Sequence, residues 1–167
     1  MKTNKLSNLS ASRWRKLIKY NERFMQLSSQ YKRGKCALLS LNLYASKNYD
    51  WRDDFLNEDW ITLLSFQPQF ADKCPWWREF DTWLNWIPLL KRQSGFSKIA
   101  KEYSDGRLAM LVVFPEYEKE FSEWDDISRY DKYKLLESRP QFAQYFSDYR
   151  DFTQSNWTLL LSKRCEF

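Results

Sequence analysis

Residues 60–71 have the sequence Trp60-Ile61-Thr62-Leu63-Leu64-Ser65-Phe66-Gln67-Pro68-Gln69-Phe70-Ala71, and this stretch predicts the fold. Trp60, Leu63 and Leu64 follow the i, i+3, i+4 spacing of one helical face. Pro68 is typical of the first position of a helix, where its missing N–H costs nothing. The stretch therefore predicts two short helices joined just before Pro68.

The same pattern recurs along the chain at intervals of 21 to 26 residues. Its matches are Leu38 and Tyr44; Trp86, Leu89, Leu90 and Phe96; Met110, Leu111, Pro115 and Tyr117; Leu135, Leu136, Pro140 and Phe142; and Trp157, Leu160 and Leu161. An aromatic residue stands seven positions after the Phe/Tyr column in Trp51, Trp77, Tyr103, Trp124 and Tyr149. Only three glycines are present, which favours helices over a sheet with many turns.

Helices of about 8–9 residues are shorter than the ~12–15 at which an isolated helix becomes marginally stable, so the units must stack on their neighbours. The expected fold is all-α, with helical-pair repeats of about 25 residues stacked as a small α-solenoid or compact helical array. Asn57 and Asn85 are expected N-caps, and Pro88 is expected in the first helical turn. The expected core consists of Leu63, Leu64, Phe70, Leu89, Leu90, Phe96, Leu135, Leu136 and Phe142.

Charge is distributed unevenly along the chain. Residues 1–35 contain ten Lys or Arg and one acid, a net charge of +9, whereas residues 36–167 contain 17 basic and 21 acidic residues, a net charge of −4. We therefore expect a basic N-terminal arm over residues 1–35 and a helical repeat domain over residues 36–167.

The arm is predicted to contain one amphipathic helix over residues 11–31, capped by Ser10 or Ser12, with Gly34 as a stop signal. Its apolar face would hold Trp14, Leu17, Ile18, Phe24 and Met25, with a stripe of Arg15, Lys19 and Arg23 pointing away. Two interpretations stay open: a polar end cap for the repeats, or an electrostatic contact with phosphates or an acidic protein. The candidate partner-binding residues are Arg13, Arg15, Lys16, Lys19, Arg23, Lys32 and Arg33.

The residue inventory argues against catalysis. The chain has no His, which removes the commonest general base and metal ligand, and it has no Gly-rich phosphate-binding motif. Cys36, Cys74 and Cys165 are widely spaced and odd in number, so we expect reduced thiols, with Cys74 in the core. Carboxylates cluster at residues 50–59 and 116–126, where solvated loops and helix starts are expected. We expect no cofactor and no metal.

Hydropathy indicates no membrane association. No stretch approaches 18 uncharged apolar residues, and the N-terminus lacks the apolar segment of a signal peptide. The sequence therefore favours a cytoplasmic protein.

The segment Trp60 to Trp76, W-x-x-L-L-x-x-Q-P-x-F-A-D-K-C-x-W, resembles a bacterial tandem repeat found as near-identical copies in larger proteins. The resemblance is close over residues 60–77, the later units match as decayed versions, and residues 1–33 lie outside it. It implies a helical repeat fold and a bacterial origin. We know of no activity assigned to this repeat.

Taken together, these features favour a non-enzymatic protein-interaction module, because repeat arrays present extended surfaces. One concrete version is an inhibitor of a bacterial nucleic-acid-handling machine, such as an anti-CRISPR protein. The alternative is nucleic-acid binding through the basic N-terminal arm. The sequence does not indicate an oligomeric state.

Overall fold

The computed structural model describes residues 6–44, 47, 49–50, 55–75, 77, 80, 82–146, 152–154, 157–158 and 162. The protein is all-helical, and none of these residues lies in a strand. The α-helices are α1 (Ala11–Tyr20), α2 (Arg23–Ser28), α3 (Lys32–Ser40), α4 (Asn57–Phe66), α5 (Trp83–Arg92), α6 (Ser97–Ala100), α7 (Ser104–Val113) and α8 (Arg129–Ser138). Short 3₁₀ helices span Pro68–Lys73, Ser94–Phe96, Pro115–Lys119 and Pro140–Tyr145.

The chain forms two compact units, Met1–Ala109 and Met110–Phe167. In the first unit α1 packs on α3 and α4, α3 packs on α4, and α4 packs on α5. In the second, α8 packs on its following 3₁₀ helix, and the Trp124 ring stacks on Tyr145 and contacts Phe142. The boundary expected between residues 35 and 36 falls inside α3.

The expected single helix over residues 11–31 is wrong, because Asn21 breaks it. Ser10 caps α1 as expected, accepting the Arg13 N–H, but α1 ends at Tyr20 and Asn21 has extended backbone, with φ −154° and ψ 114°. The Asn21 side chain accepts the N–H of Arg23, the first residue of α2, at 3.0 Å. An Asn side chain competes with the helix for backbone donors in this way. Arg23 therefore does not continue the stripe of Arg15 and Lys19.

A single residue with non-helical backbone joins α4, α5, α7 and α8 to the 3₁₀ helix that follows each of them. These linking residues have φ between −144° and −123° and ψ between 72° and 88°. Each donates its N–H to the carbonyl four residues earlier, and its own carbonyl accepts the N–H three residues later. The linking residues are Gln67, Gln93, Phe114 and Arg139. Pro68, Pro115 and Pro140 open the second helices as expected, although those helices are 3₁₀ rather than α.

Three α-helices recur with one offset that the sequence pattern did not predict. Helices α1, α3 and α4 begin at residues 11, 32 and 57. Helices α5, α7 and α8 begin at residues 83, 104 and 129, so each begins 72 residues after its counterpart in the first set. Tyr31 stacks on Trp14 with ring centroids 5.3 Å apart, and Tyr103 stacks on Trp86 at 5.8 Å. Residues 11–40, which include most of the arm expected over residues 1–35, therefore share helix positions and a ring stack with residues 83–112.

Glycine is required where the chain turns into α3 and into α7. A Cβ on Gly34 would lie 2.1 Å from the Ser28 carbonyl oxygen, and one on Gly106 would lie 2.2 Å from that of Ala100. Gly34 is therefore not the expected helix stop, because it is the third residue of α3. Its lack of a side chain lets the backbone of the preceding turn lie against the helix.

The expected core is confirmed at eight positions, since all but Phe70 of the nine predicted residues are buried and Phe70 is half-buried. The Trp column is also core, with Trp60 and Trp86 buried, and Cys74 is buried as expected.

The expected N-caps are wrong. Leu56 occupies the N-cap of α4, where the Asp59 carboxylate accepts its N–H. Thr82 occupies the N-cap of α5. Helix α5 starts early enough to bury Trp83, which places Asn85 and Pro88 inside it.

Gly34→Ala and Gly106→Ala should each destabilise the protein. An alanine in a helix ordinarily stabilises it by about 1 kcal/mol relative to glycine. Here the new Cβ meets backbone that cannot move aside, so we expect a loss of about 1–3 kcal/mol, the usual cost of overpacking. Urea unfolding followed by tryptophan fluorescence measures the change.

Gly95→Ala is the matched control, because nothing lies within 4 Å of a Cβ at Gly95. It should be neutral or stabilise by up to about 1 kcal/mol. If the three variants unfold at the same urea concentration, the close approach at Gly34 and Gly106 does not limit packing.

Candidate anion-binding pocket

Two arginines from different helices meet at one phenylalanine ring in the first unit. The Arg15 guanidinium carbon of α1 lies 3.2 Å from the centroid of the Phe66 ring, at the end of α4. The Arg92 guanidinium carbon, at the end of α5, lies 4.5 Å from the same centroid. Such cation–π contacts stabilise a positive charge over a ring. Here the two contacts hold two positively charged guanidinium groups at the same ring.

These side chains border a cavity of about 410 Å³, which we call the basic pocket. Its lining residues are Ser12, Arg15, Lys16, Lys19, Ile61, Thr62, Ser65, Phe66, Pro88 and Arg92. The volume lies within the range of about 300–1,000 Å³ that is usual for ligand sites. Helices α1, α4 and α5 all contribute to it, so it exists only once they pack.

Four of the lining residues are cationic, and none of the described lining residues carries a carboxylate. Burial, and after it the charge of Arg92, lowers the pKa of Arg15 from its ordinary value. The Arg15 Nε atom is buried with no hydrogen-bond partner among the described residues. An anion in the pocket would relieve the repulsion between these cations.

The structure places the expected partner-binding residues on three different helices, α1, α2 and α3. Arg13, Lys16 and Lys19 are exposed on α1, and Lys16 and Lys19 line the basic pocket with the half-buried Arg15. Arg23 is exposed on α2. Lys32 is exposed and Arg33 is half-buried, both in the first turn of α3.

Arg33 is held inside an ion-pair network. Its Nε lies 3.3 Å from the buried Asp59 carboxylate, and another guanidinium nitrogen lies 3.2 Å from Glu58. The Asp59 carboxylate also accepts the N–H of Ala11 at 3.1 Å and of Leu56 at 3.4 Å. One carboxylate thus ties the start of α1 and the start of α4 to α3, and the Arg33 charge is already engaged.

The buried Cys36 thiol donates to the Asp59 carbonyl oxygen at 3.3 Å. Desolvation, and then the Asp59 charge, raises the pKa of Cys36 well above its ordinary value. A thiol in this state is a poor nucleophile. Cys36 is therefore a packing residue.

Sequence analysis did not identify Phe66 or Arg92 as site residues. Both lie two positions after the second leucine of a Leu-Leu pair, at Leu64 and Leu90, and each ends its helix. The shared position of Phe66 and Arg92 after a Leu-Leu pair is visible in the sequence. Nothing local marked the position as part of a pocket, because the third wall comes from α1, more than forty residues earlier.

Comparison of the chain with family models, with curated proteins and with solved structures gave no match. Within the described residues, no helix is both long and apolar enough to cross a membrane. No group of three or more Cys, Asp or Glu side chains in the described ranges is arranged to hold a metal ion.

The Asp59 network predicts a specific pH dependence of stability. Desolvation raises the pKa of Asp59 above its ordinary value of 3.8, although the Ala11 N–H and Arg33 oppose the shift. Folding therefore favours the protonated carboxyl. The Asp59 contribution to stability is fully present below pH 3.8 and is lost as pH rises through the folded-state pKa.

Urea unfolding of the wild type and of Asp59→Asn across pH 3 to 7 isolates this contribution. The stability of the wild type relative to the variant should decrease as pH rises. A difference that grows with pH would mean that Arg33 and the backbone donors outweigh desolvation.

Proposed function

We propose that this chain is a non-enzymatic protein-interaction module, built from stacked short helical repeats, that receives an acidic segment of its partner at the basic pocket. The observation that carries the proposal is the convergence of Arg15, Lys16, Lys19 and Arg92 on one partly apolar cavity. The chain has no histidine, and the described lining offers cations, hydroxyls and apolar groups. These groups suit binding better than proton transfer.

A repeated hydrogen bond between successive helical pairs supports the repeat arrangement. The Gln93 side chain donates to the Ser65 carbonyl at 3.3 Å. The Arg139 side chain donates to the Val112 carbonyl at 2.7 and 3.1 Å. Gln93 and Arg139 are both linking residues. Their acceptors, Ser65 and Val112, each lie two positions before the linking residue of the preceding helical pair. Each compact unit would then stack its helical pairs by the same contact.

The 72-residue offset indicates which features the fold needs and which it does not. Trp14 and Trp86 match as buried tryptophans, and Leu64 and Leu136 match as buried leucines. By contrast, the counterpart of Arg15 is Ile87, that of Phe66 is Ser138, and that of Arg92 is Tyr20. The helices therefore form without the basic pocket, and its residues are free to serve a partner.

The pocket suits a protein segment better than a nucleic-acid backbone. Phosphates along a nucleic acid call for cations spread along a track, whereas here four cations surround one cavity with Ile61, Phe66 and Pro88 in its wall. Arginine and aromatic residues in a central pocket are typical of protein-interface hot spots. The exposed Arg13, Lys16 and Lys19 on α1 favour nucleic acid as the second candidate.

Lys16→Glu combined with Lys19→Glu should abolish partner capture and leave the fold intact. Both side chains are exposed, and exposed substitutions usually change stability by no more than about 0.5 kcal/mol. Affinity capture from a nuclease-treated bacterial lysate, followed by association kinetics with the purified partner, measures the effect. Association should slow sharply and lose its salt dependence, because such charges act mainly on encounter.

Lys91→Glu combined with Lys98→Glu is the matched control. It makes the same charge change at exposed positions of the same unit that do not line the pocket. The control should retain most of the wild-type capture. Capture that disappears with nuclease treatment would favour the nucleic-acid alternative, and equal capture by both double variants would exclude the basic pocket as the contact.

A further inference from the structure

The basic pocket holds more positive charge than one carboxylate would balance. Four cationic side chains line it, and Arg15 is half-buried among them. Amino and guanidinium groups keep their charge at neutral pH, so the repulsion persists until anionic charge enters. A dianion offsets this repulsion better than a monoanion does.

The donors also reach the cavity from different directions. Arg15, Lys16 and Lys19 come from α1, whereas Arg92 comes from the end of α5, and both arginines contact Phe66. A planar carboxylate is served by one fork of donors, whereas a tetrahedral phosphate has oxygens facing several directions. The Ser12 hydroxyl is a further donor in the lining. Thr62 is not, because its hydroxyl donates to the Glu58 carbonyl at 2.9 Å.

The apolar part of the wall indicates what carries the anion. Ile61, Phe66 and Pro88 border the same cavity as the cations. A cavity of about 410 Å³ is larger than a phosphate needs and leaves room for the group that bears it. Apolar surface in the wall gains from contact with an apolar or aromatic carrier.

We infer that the basic pocket binds a phosphomonoester group carried on an apolar or aromatic moiety, with Arg15 and Arg92 as its principal ligands. The inference rests on the proposed function, because it names the group of the partner that enters the pocket. The same chemistry has two sources, a phosphorylated side chain of a partner protein or a free small phosphomonoester.

Titration of the full chain with phenyl phosphate, inorganic phosphate and benzoate by calorimetry at pH 8 tests the chemistry. Phenyl phosphate should bind about tenfold more tightly than either comparison ligand, because only it combines the dianion with an apolar group. Its affinity should fall about tenfold between pH 8 and pH 5, because the second pKa of a phosphomonoester is about 6. Equal affinity for benzoate and phenyl phosphate would overturn the inference.

Arg15→Ile and Arg92→Tyr are the test variants, because each introduces the residue that stands at the equivalent position 72 residues away. Each should weaken phenyl phosphate binding about tenfold or more, as expected for a lost charged hydrogen-bond donor. Lys91→Gln removes a charge one residue from Arg92, outside the pocket lining, and should bind like the wild type. Circular dichroism and urea unfolding verify that each variant is folded.

A peptide with one phosphotyrosine separates the two sources. Tighter binding of this peptide than of phenyl phosphate supports a phosphorylated partner protein, and equal binding supports a free phosphomonoester. If phenyl phosphate binds every variant as tightly as the wild type, the pocket assignment is wrong. This holds even if the double variant Lys16→Glu, Lys19→Glu no longer captures a partner. That combination would leave the proposed function standing without this inference.

Discussion

The described α-helices are all ten residues or shorter, and helices of this length are not stable alone in water. Their stability must come from side chains buried against neighbouring helices, which is why Trp14, Trp60 and Trp86 are almost completely buried. Large aromatic side chains bury much apolar area per residue. A chain with nine Trp can therefore build a core from short helices.

Close backbone approach is the second consequence of short helices. Gly34 lies against the Ser28 carbonyl and Gly106 lies against the Ala100 carbonyl, so each turn folds tightly onto the helix that follows. Asp59 reinforces the first of these regions by binding the Ala11 N–H and the Arg33 guanidinium together. A buried carboxylate is costly to desolvate, and these donors offset part of that cost while fixing α1 relative to α3 and α4.

The basic pocket follows from that fixed arrangement. Once α1 packs on α4 and α4 on α5, Arg15 and Arg92 meet at Phe66 although their charges repel. The ring offsets part of the repulsion through cation–π contact. The second helical set, with Ile87 and Ser138 at the equivalent positions, lacks this chemistry. Shared core positions thus support a surface that differs between the two sets.

The sequence by itself determined the helical class, the core positions and the prolines that open the 3₁₀ helices. These depend on spacing within about ten residues, where Trp60, Leu63 and Leu64 define one face. Tertiary structure decided the rest. It engaged Arg33 with Asp59 from another helix. It also joined Arg15 to Phe66 and Arg92 across three helices. Charge counts located a basic segment, but helix packing chose which of its cations converge, because residues distant in sequence meet only when their helices share a core.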